Sequence, residues 1–460
     1  MQEKMQEKMQ ERILFLLEKR RYAQLKEELL DINPYDLAVL MADIPIEHLP
    51  ILFRILPKEL AAETFVEMDH DMQEHLIKSF SDTELKAMLN ELYVDDTVDI
   101  IEEMPANVVK RILKYTDSET REMINEILNY PKDSAGSIMT TEFVDLKKDM
   151  TVADAFERIR KDGVDKETIY TLYVTTKSRK LIGIVSAKDL MLSEQNVVIE
   201  DIMETNIVCV DTSEDKEVVA NLFDKYDFLA IPVVDKEERL VGIVTIDDAI
   251  DVLQDETTED ITKMGAVMPN EDTYFKTSVW QHAKNRIPWL LFLMLSAIFT
   301  GTIITQYEAA FSSIPLLVSF IPQLMDTGGN CGSQASVLII RGLALDEIKT
   351  SDFLKAVFKE IRIALLVGVV LAVVNGVRII IMYNSDPSVN AYALAIVLGV
   401  TLMCTIILAK FLGCALPILA KKCRLDPALM ASPLITTIVD ACSILIYFNF
   451  AVAFMNYLIK

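Results

Sequence analysis

One carboxylate in this chain stands where carboxylates are expensive. The run DPALMASPLITTIVDACSILIYF is long and apolar enough to cross hydrocarbon, yet it carries Asp440 about three turns in. Helical spacing puts Thr436, Ser443 and Tyr447 on the same face. Pro433 is expected to free a backbone carbonyl near Leu429, which would add an oxygen ligand. A second apolar run contains IPQLMDTGGNCGSQAS. There Asp326, Asn330 and Ser333 share a face with Gln334 beside it, and Gly328, Gly329 and Gly332 allow another helix to approach closely. Ionisable groups inside a bilayer are rare and usually functional. The structural alternatives are a glycine packing motif, and an Asp440 paired with Arg378 or Lys410, the basic residues of the neighbouring spans.

Oxygen ligands with one carboxylate suit a hard divalent cation that keeps most of its water, which describes Mg²⁺. A zinc or copper path would need His or Cys ligands. The four histidines, His48, His70, His75 and His282, are expected outside the membrane spans. Cys209, Cys331, Cys404, Cys414, Cys423 and Cys442 show no paired spacing and read as small core residues in a reducing compartment. No secretory signal is visible: MQEKMQEKMQER leads into an apolar run too short to span a bilayer. No nucleophile–base constellation and no phosphate-cradling glycine loop is present, so the expectation is a protein that is not an enzyme.

These residues must be held by a membrane domain. Five apolar stretches are long enough to span, at roughly 287–307, 313–340, 362–383, 391–420 and 428–457. The loop after the second carries Arg341, Lys349, Lys355, Lys359 and Arg362, and the loop after the fourth carries Lys421, Lys422 and Arg424. The loops near Glu308 and Asp386 carry no Lys or Arg. The positive-inside rule therefore places the N-terminal half in the cytoplasm and the C-terminus outside. Residues 286–460 hold 12 basic and 9 acidic side chains, which leaves 33 and 60 for residues 1–285. A half so acidic repels nucleic acid and attracts cations.

That acidic half has two parts. Up to about Tyr130, leucines recur at helical spacing and Pro34, Pro45, Pro50, Pro57 and Pro105 punctuate them, as in a superhelical array of short helices. An internal repeat follows: LIGIVSAKDL matches LVGIVTIDDA, each preceded by an alternating strand. Two helix–strand–strand–helix copies resemble a pair of CBS domains, a class that commonly binds adenine nucleotides. That resemblance implies an Asp after the second strand for the ribose, Asp189 in the first copy and Asp247 in the second, with Tyr170, Lys188, Phe228 and Leu229 as further nucleotide contacts for ATP or a relative. After the repeat, Ile246 to Met264 contains no Gly or Pro, so one continuous helix is expected. Its acidic face holds Asp247, Asp248, Asp251, Asp255, Glu256, Glu259 and Asp260, and it runs toward the first span.

MDTGGNCGSQA, DPALMASPLITTIVD and the order of these parts resemble the MgtE family of Mg²⁺ channels over nearly the whole chain. The resemblance implies a multidomain membrane protein: an all-α superhelical N domain (1–130), α/β CBS repeats (131–198 and 199–253), a long acidic linker or plug helix (246–285) and a five-helix transmembrane bundle (286–460). It implies a homodimer in the plasma membrane, in contact with the lipid bilayer, that takes up Mg²⁺ and binds no nucleic acid. Asp440 would be the pore carboxylate, with Ser432, Thr436, Asn330, Ser333 and Asp326 around it. Some members have Asn two turns before that Asp, where this chain has Ser432. Regulatory Mg²⁺ ligands would match Asp248, Asp251, Glu256, Glu259 and Asp260 on the linker, Glu217 and Asp227 in the second repeat, and Glu63, Asp95 and Asp99 in the N domain. Secondary transport coupled to Na⁺ or H⁺ is the runner-up, because a broken helix beside an acid suits either mode.

Overall fold

The computed structural model describes residues 2–270, 274–307, 315–385, 389–430, 432–454 and 458, with the side chains of 2–5, 165 and 432 left aside. Glu308 and Asp386, used above for orientation, lie outside the described residues, as does the Ser432 side chain. The chain divides into two compact units, residues 1–254 and 255–460.

The N-terminal unit begins with ten short helices between Gln2 and Ile127. The prolines sit at their entrances: Pro34 and Pro50 in the first turn, Pro45, Pro57 and Pro105 just before it, where no amide is needed. Asn33, Ser81 and Asp117 cap the next helices through side-chain oxygens. Alternate helices stack on one another, Pro34–Ala42 on Lys58–Val66, Lys58–Val66 on Asp82–Leu89 and Asp82–Leu89 on Ala106–Tyr115. Neighbours two apart in sequence thus form rows, the stacking of a superhelical array.

The repeat forms two matching sheets. In the first, β1 (Asp145–Lys147) runs parallel to β2 (Thr171–Thr175), which pairs antiparallel with β3 (Leu181–Ser186). In the second, β4 (Val210–Asp211), β5 (Ala230–Val234) and β6 (Leu240–Thr245) repeat the order. Each copy also completes the other. Thr140, ahead of the first copy, exchanges two backbone hydrogen bonds with Ile243 of β6, and Glu204, ahead of the second, does the same with Ile184 of β3. The glycine of each GIV triplet makes room for a methionine: a Cβ on Gly183 would lie 2.6 Å from Met203 Sδ, and one on Gly242 would lie 2.6 Å from Met139 Sδ. The repeated glycine is explained by this close approach.

Ile246–Met264 is one continuous helix, as its composition predicts. Among the described residues five long helices follow: Val279–Gln306, Ile321–Ala344, Phe353–Tyr383, Ala391–Lys422 and Ser432–Ala453. Among the described residues, four segments are long and apolar enough to cross a membrane, and Ile321–Ala344 falls short because of its polar DTGGNCGSQ stretch. That helix packs instead on Ala391–Lys422 and Ser432–Ala453. The first long helix starts at Val279, well before the apolar stretch begins, so His282 lies within its first turns rather than outside it. Helical hydrogen bonding continues into polar flanks that hydropathy does not mark. Two cysteines expected in the core, Cys209 and Cys423, are exposed; all six are free thiols.

Candidate functional site

The membrane site is built on tight helix packing. A Cβ on Gly328 would lie 2.8 Å from Thr405 and 2.9 Å from Val439, and one on Gly329 would lie 2.7 Å from Thr436. A Cβ on Gly413 would collide with the carbonyl of Gly332. The glycines therefore bring the second long helix against the fourth and fifth. This contact sets Ser333 Oγ 3.4 Å from Thr436 Oγ1. Asn330 Nδ2 donates to Asp326 Oδ1 at 3.1 Å, and Asp326 and Asn330 are both exposed. Asp440 is half-buried within electrostatic range of Asp326, and its Oδ1 is buried with no hydrogen-bond partner.

The pairing alternative for Asp440 does not hold. Arg378 donates to Gln323 Oε1 at 2.5 Å, and Lys410 pairs with Glu360 at 3.6 Å, deep between the third and fourth long helices. Two other expectations also change. Ser443 donates to the Val439 carbonyl and Tyr447 to the Leu317 carbonyl, both wholly buried, so these hydroxyls serve packing. Pro433 stands in the first turn of the fifth helix, which starts at Ser432 after the turn Pro427–Met430. A proline there breaks no helical bond, so it frees no carbonyl at Leu429. The adjacent Met430 carbonyl accepts from Ser336 Oγ at 2.9 Å.

A second carboxylate cluster lies within the N-terminal unit. Oxygens of Asp95, Glu142 and Glu167 lie within 4.8 Å of one another. Glu142 Oε2 accepts from the Val94 amide at 3.1 Å, and Glu167 Oε2 is buried without a hydrogen-bond partner. Burial pushes Asp95 well above the usual carboxylate range, with Asp248 and Asp96 adding repulsion. Burial followed by the charge of Asp248 raises Asp96 to about 7, and burial followed by Asp96 raises Glu167 to about 8. Asp248 rises to about 6 through burial, although it accepts the Thr245 hydroxyl at 2.5 Å. Asp99 is raised by its enclosed setting and by Asp248, but its side chain is exposed at the rim, where water screens it. Oxygen-only donors, an orphaned carboxylate oxygen and uncompensated like charge fit a hard divalent cation.

Sequence reasoning named Asp95, Asp99 and Asp248 and missed Asp96, Glu142 and Glu167. The last two lie in loops with no periodicity to mark them. The other named acids fall elsewhere. Glu63 is exposed, and it is Glu67, the C-terminal cap of the same helix, that feels Asp251: burial first, then that charge, raises it. Glu217 and Asp227 stand at opposite ends of the helix Lys216–Tyr226, about 15 Å apart along its axis. In the C-terminal unit Lys263 pairs with Glu259 and, at 2.7 Å, with Asp426, and burial with the Asp426 charge raises Asp260. Glu256 is half-buried on the same stretch.

The nucleotide candidates sit on the repeat. Tyr170 accepts from the Ala187 amide through its carbonyl, beside exposed Lys188 and Asp189, while Phe228 stacks on Tyr226 and Leu229 is exposed at the start of β5. Strand register corrects one assignment. Ser186 pairs with Thr171 and Thr245 with Ala230, so Asp189 corresponds to Asp248, not Asp247. Ser186 donates to Asp189 at 2.5 Å as Thr245 does to Asp248. One copy keeps this Asp exposed, and the other uses it in the acidic cluster.

Together these features define a multi-pass membrane protein with a carboxylate inside one of its candidate spans and an acidic cluster in its N-terminal unit. Residues 321–450 match a family described as a divalent cation transporter (MgtE), 32–133 match the MgtE intracellular N domain, and 135–194 and 199–255 each match a CBS domain. The magnesium transporter MgtE of Bacillus subtilis is 32% identical over 97% of both chains, and that of Thermus thermophilus is 34% identical over 93% of this chain and 94% of its own. A crystal structure of the cytosolic domain of the Mg²⁺ channel MgtE in complex with ATP is 35% identical with a TM-score of 0.50, covering 52% of this chain and 98% of that one. The chain belongs to the MgtE family.

Proposed function

We propose that this protein is a homodimeric Mg²⁺ channel of the plasma membrane, closed when its cytosolic acidic clusters hold divalent cation. The observation that carries the reading is the Asp440 carboxylate, its Oδ1 buried without a hydrogen-bond partner while Arg378 and Lys410, the basic residues within the neighbouring spans, pair elsewhere. Asp326, Asn330 and Gln334 repeat every four residues on an exposed face of a helix packed among membrane helices. Such a polar face is costly against hydrocarbon, so a second copy covering it would line a wet path with two Asp440 carboxylates. Ser333 and Thr436 add hydroxyl oxygens. Relatives named as magnesium transporters support Mg²⁺ as the substrate, and the basic loops support a cytoplasmic N-terminal unit with the C-terminus outside.

In the N-terminal unit, Asp95, Glu142 and Glu167, with Asp96, Asp99 and Asp248 around them, would hold the regulatory cation. Bound there, it would supply the positive charge that offsets their repulsion. Asp248 opens the linker helix, so the spacing of these carboxylates sets where that helix begins. Relaxed repulsion lets Asp248 close on Asp95, and unrelieved repulsion drives it away. The loading should be weak per site, because the ligands are oxygens that share the ion with water. Asp251, Glu256, Glu259, Asp260, Glu217, Asp227 and Glu63 would form further weak sites, coupled through the same two-state element.

Proteoliposomes with Mg²⁺ as the sole permeant cation and no Na⁺ or H⁺ gradient should carry a Mg²⁺ current. Flux that needs a counter-ion gradient would establish the exchanger instead. The ATP-bound relative supports a nucleotide at Tyr170, Lys188, Asp189, Phe228 and Leu229, with Asp189 on the ribose. Calorimetry should show ATP binding that Asp189→Ala weakens at least tenfold. Equal heats from the parent and the variant would move the nucleotide elsewhere.

A further inference from the structure

The segment leading into the first long helix is built inside out for water. At its base, the Met268 amide donates to the Asn285 carbonyl at 3.0 Å, Asn270 Nδ2 donates to Thr277 Oγ1 at 2.8 Å, and Gln281 donates to Asn285 Oδ1 at 3.0 Å. Thr277 and Asn285 are 6% and 7% exposed. The polar groups are thus tucked in, while the large apolar ones point out: Phe275 is 97% exposed, Trp280 78% and Tyr274 67%. Tyr274 packs edge-on to Phe275 and against His282, whose Nε2 lies 3.0 Å from the Tyr274 carbonyl. The aromatic side chains are therefore held outward by a closed base.

We propose that Tyr274, Phe275 and Trp280 form an interfacial anchor seated at the headgroup boundary of the bilayer, with Lys284 and Arg286 taking the phosphates of anionic lipids. Two observations commit the surface to lipid. It is continuous with Val279–Gln306, a 28-residue helix whose most apolar window is only 6% buried in the protein. Lys284 and Arg286 are exposed one and two turns beyond Trp280 and make no ion pair among the described residues. Tyr and Trp favour this depth because one end is apolar and the other polar, and exposed lysines and arginines favour a negative lipid surface. An anchor there pins the chain between the linker helix and the first span. Movement of the linker would then tilt that span rather than slide it along the membrane normal.

The chain has two tryptophans, so Trp289→Phe leaves Trp280 as the reporter. The full-length variant is placed in phosphatidylcholine vesicles containing one lipid spin-labelled at the headgroup, the upper acyl chain or the deep acyl chain. Trp280 fluorescence should be quenched at least twofold more by the two shallow labels than by the deep one. In the reciprocal Trp280→Phe variant, Trp289 lies nine residues further along the same helix, up to about 14 Å deeper, and should respond best to a deeper label. Adding phosphatidylglycerol should increase shallow quenching of Trp280, and Lys284→Gln with Arg286→Gln should remove that increase. Trp280 that is quenched by aqueous acrylamide and by no lipid label overturns the anchor. Protection from both means that protein covers the surface, which overturns it equally. A phosphatidylglycerol effect that survives the double substitution overturns the assignment of Lys284 and Arg286.

Discussion

Asp440→Asn should abolish Mg²⁺ flux while leaving the protein folded and inserted. A divalent ion about 5 Å from a carboxylate, at an effective dielectric constant near 20, is attracted by roughly 7 kcal/mol before desolvation. Losing even half of that lowers occupancy by between two and three powers of ten. The effect on stability should be opposite in kind. Asp440 Oδ1 has no hydrogen-bond partner, so the substitution orphans no group at that atom and removes a charge that is costly to bury. Thermal stability in detergent should therefore hold or rise while uptake falls to background. Asp440→Ala should give the same loss. An Asn variant that conducts Mg²⁺ with parental rate and selectivity would show that the ion passes elsewhere.

The second large effect is expected at the acidic cluster. With chelator present, raising the pH from 5.5 to 8 should lower the melting temperature of the N-terminal unit. The sign follows from the folded-state values. Asp248 at about 6, Asp96 at about 7 and Glu167 at about 8 all lie above the ordinary carboxylate range. Between about pH 4 and those values the folded state keeps protons that the unfolded chain has released, so stability falls as pH rises through the window. Each unit of such a rise costs about 1.4 kcal/mol once the group ionises. Millimolar Mg²⁺ should suppress the fall and protect the chain after Ile246 from protease over a narrow concentration range. Asp95→Asn with Asp248→Asn should make the pH slope shallower, leaving the part that burial of Asp96 and Glu167 carries, and should remove the Mg²⁺ protection. Protection that survives the pair, or that NaCl reproduces at equal ionic strength, would reduce the cluster to diffuse charge.

The order of parts was legible from local pattern. Prolines at helix entrances, the GIV repeat and the Gly-free run from Ile246 to Met264 each report a local rule, and those elements formed where the rules put them. Local rules failed where the outcome depends on partners distant in sequence. Pro433 reads as a helix break, yet it begins a helix because the turn Pro427–Met430 ends just ahead of it. Ser443 and Tyr447 share a helical face with Asp440, yet both are buried with backbone partners, and face-sharing says nothing about what lies opposite. Asp189 and Asp247 look equivalent by eye, whereas β-sheet register equates Asp189 with Asp248.

The amino-acid sequence by itself determined the order of elements, four of the five expected apolar spans among the described residues and an acid within one of them, because periodicity, capping and hydropathy act over a few residues. Tertiary structure decided which acids share a site. Asp95, Glu142 and Glu167 are separated by up to 72 positions, and only the fold brings their oxygens within 4.8 Å. It also decided that Asp440 keeps a carboxylate oxygen free, by giving Lys410 to Glu360 and Arg378 to Gln323. Charge acts through space rather than along the chain, so a residue's electrostatic role is fixed only once its neighbours are in place.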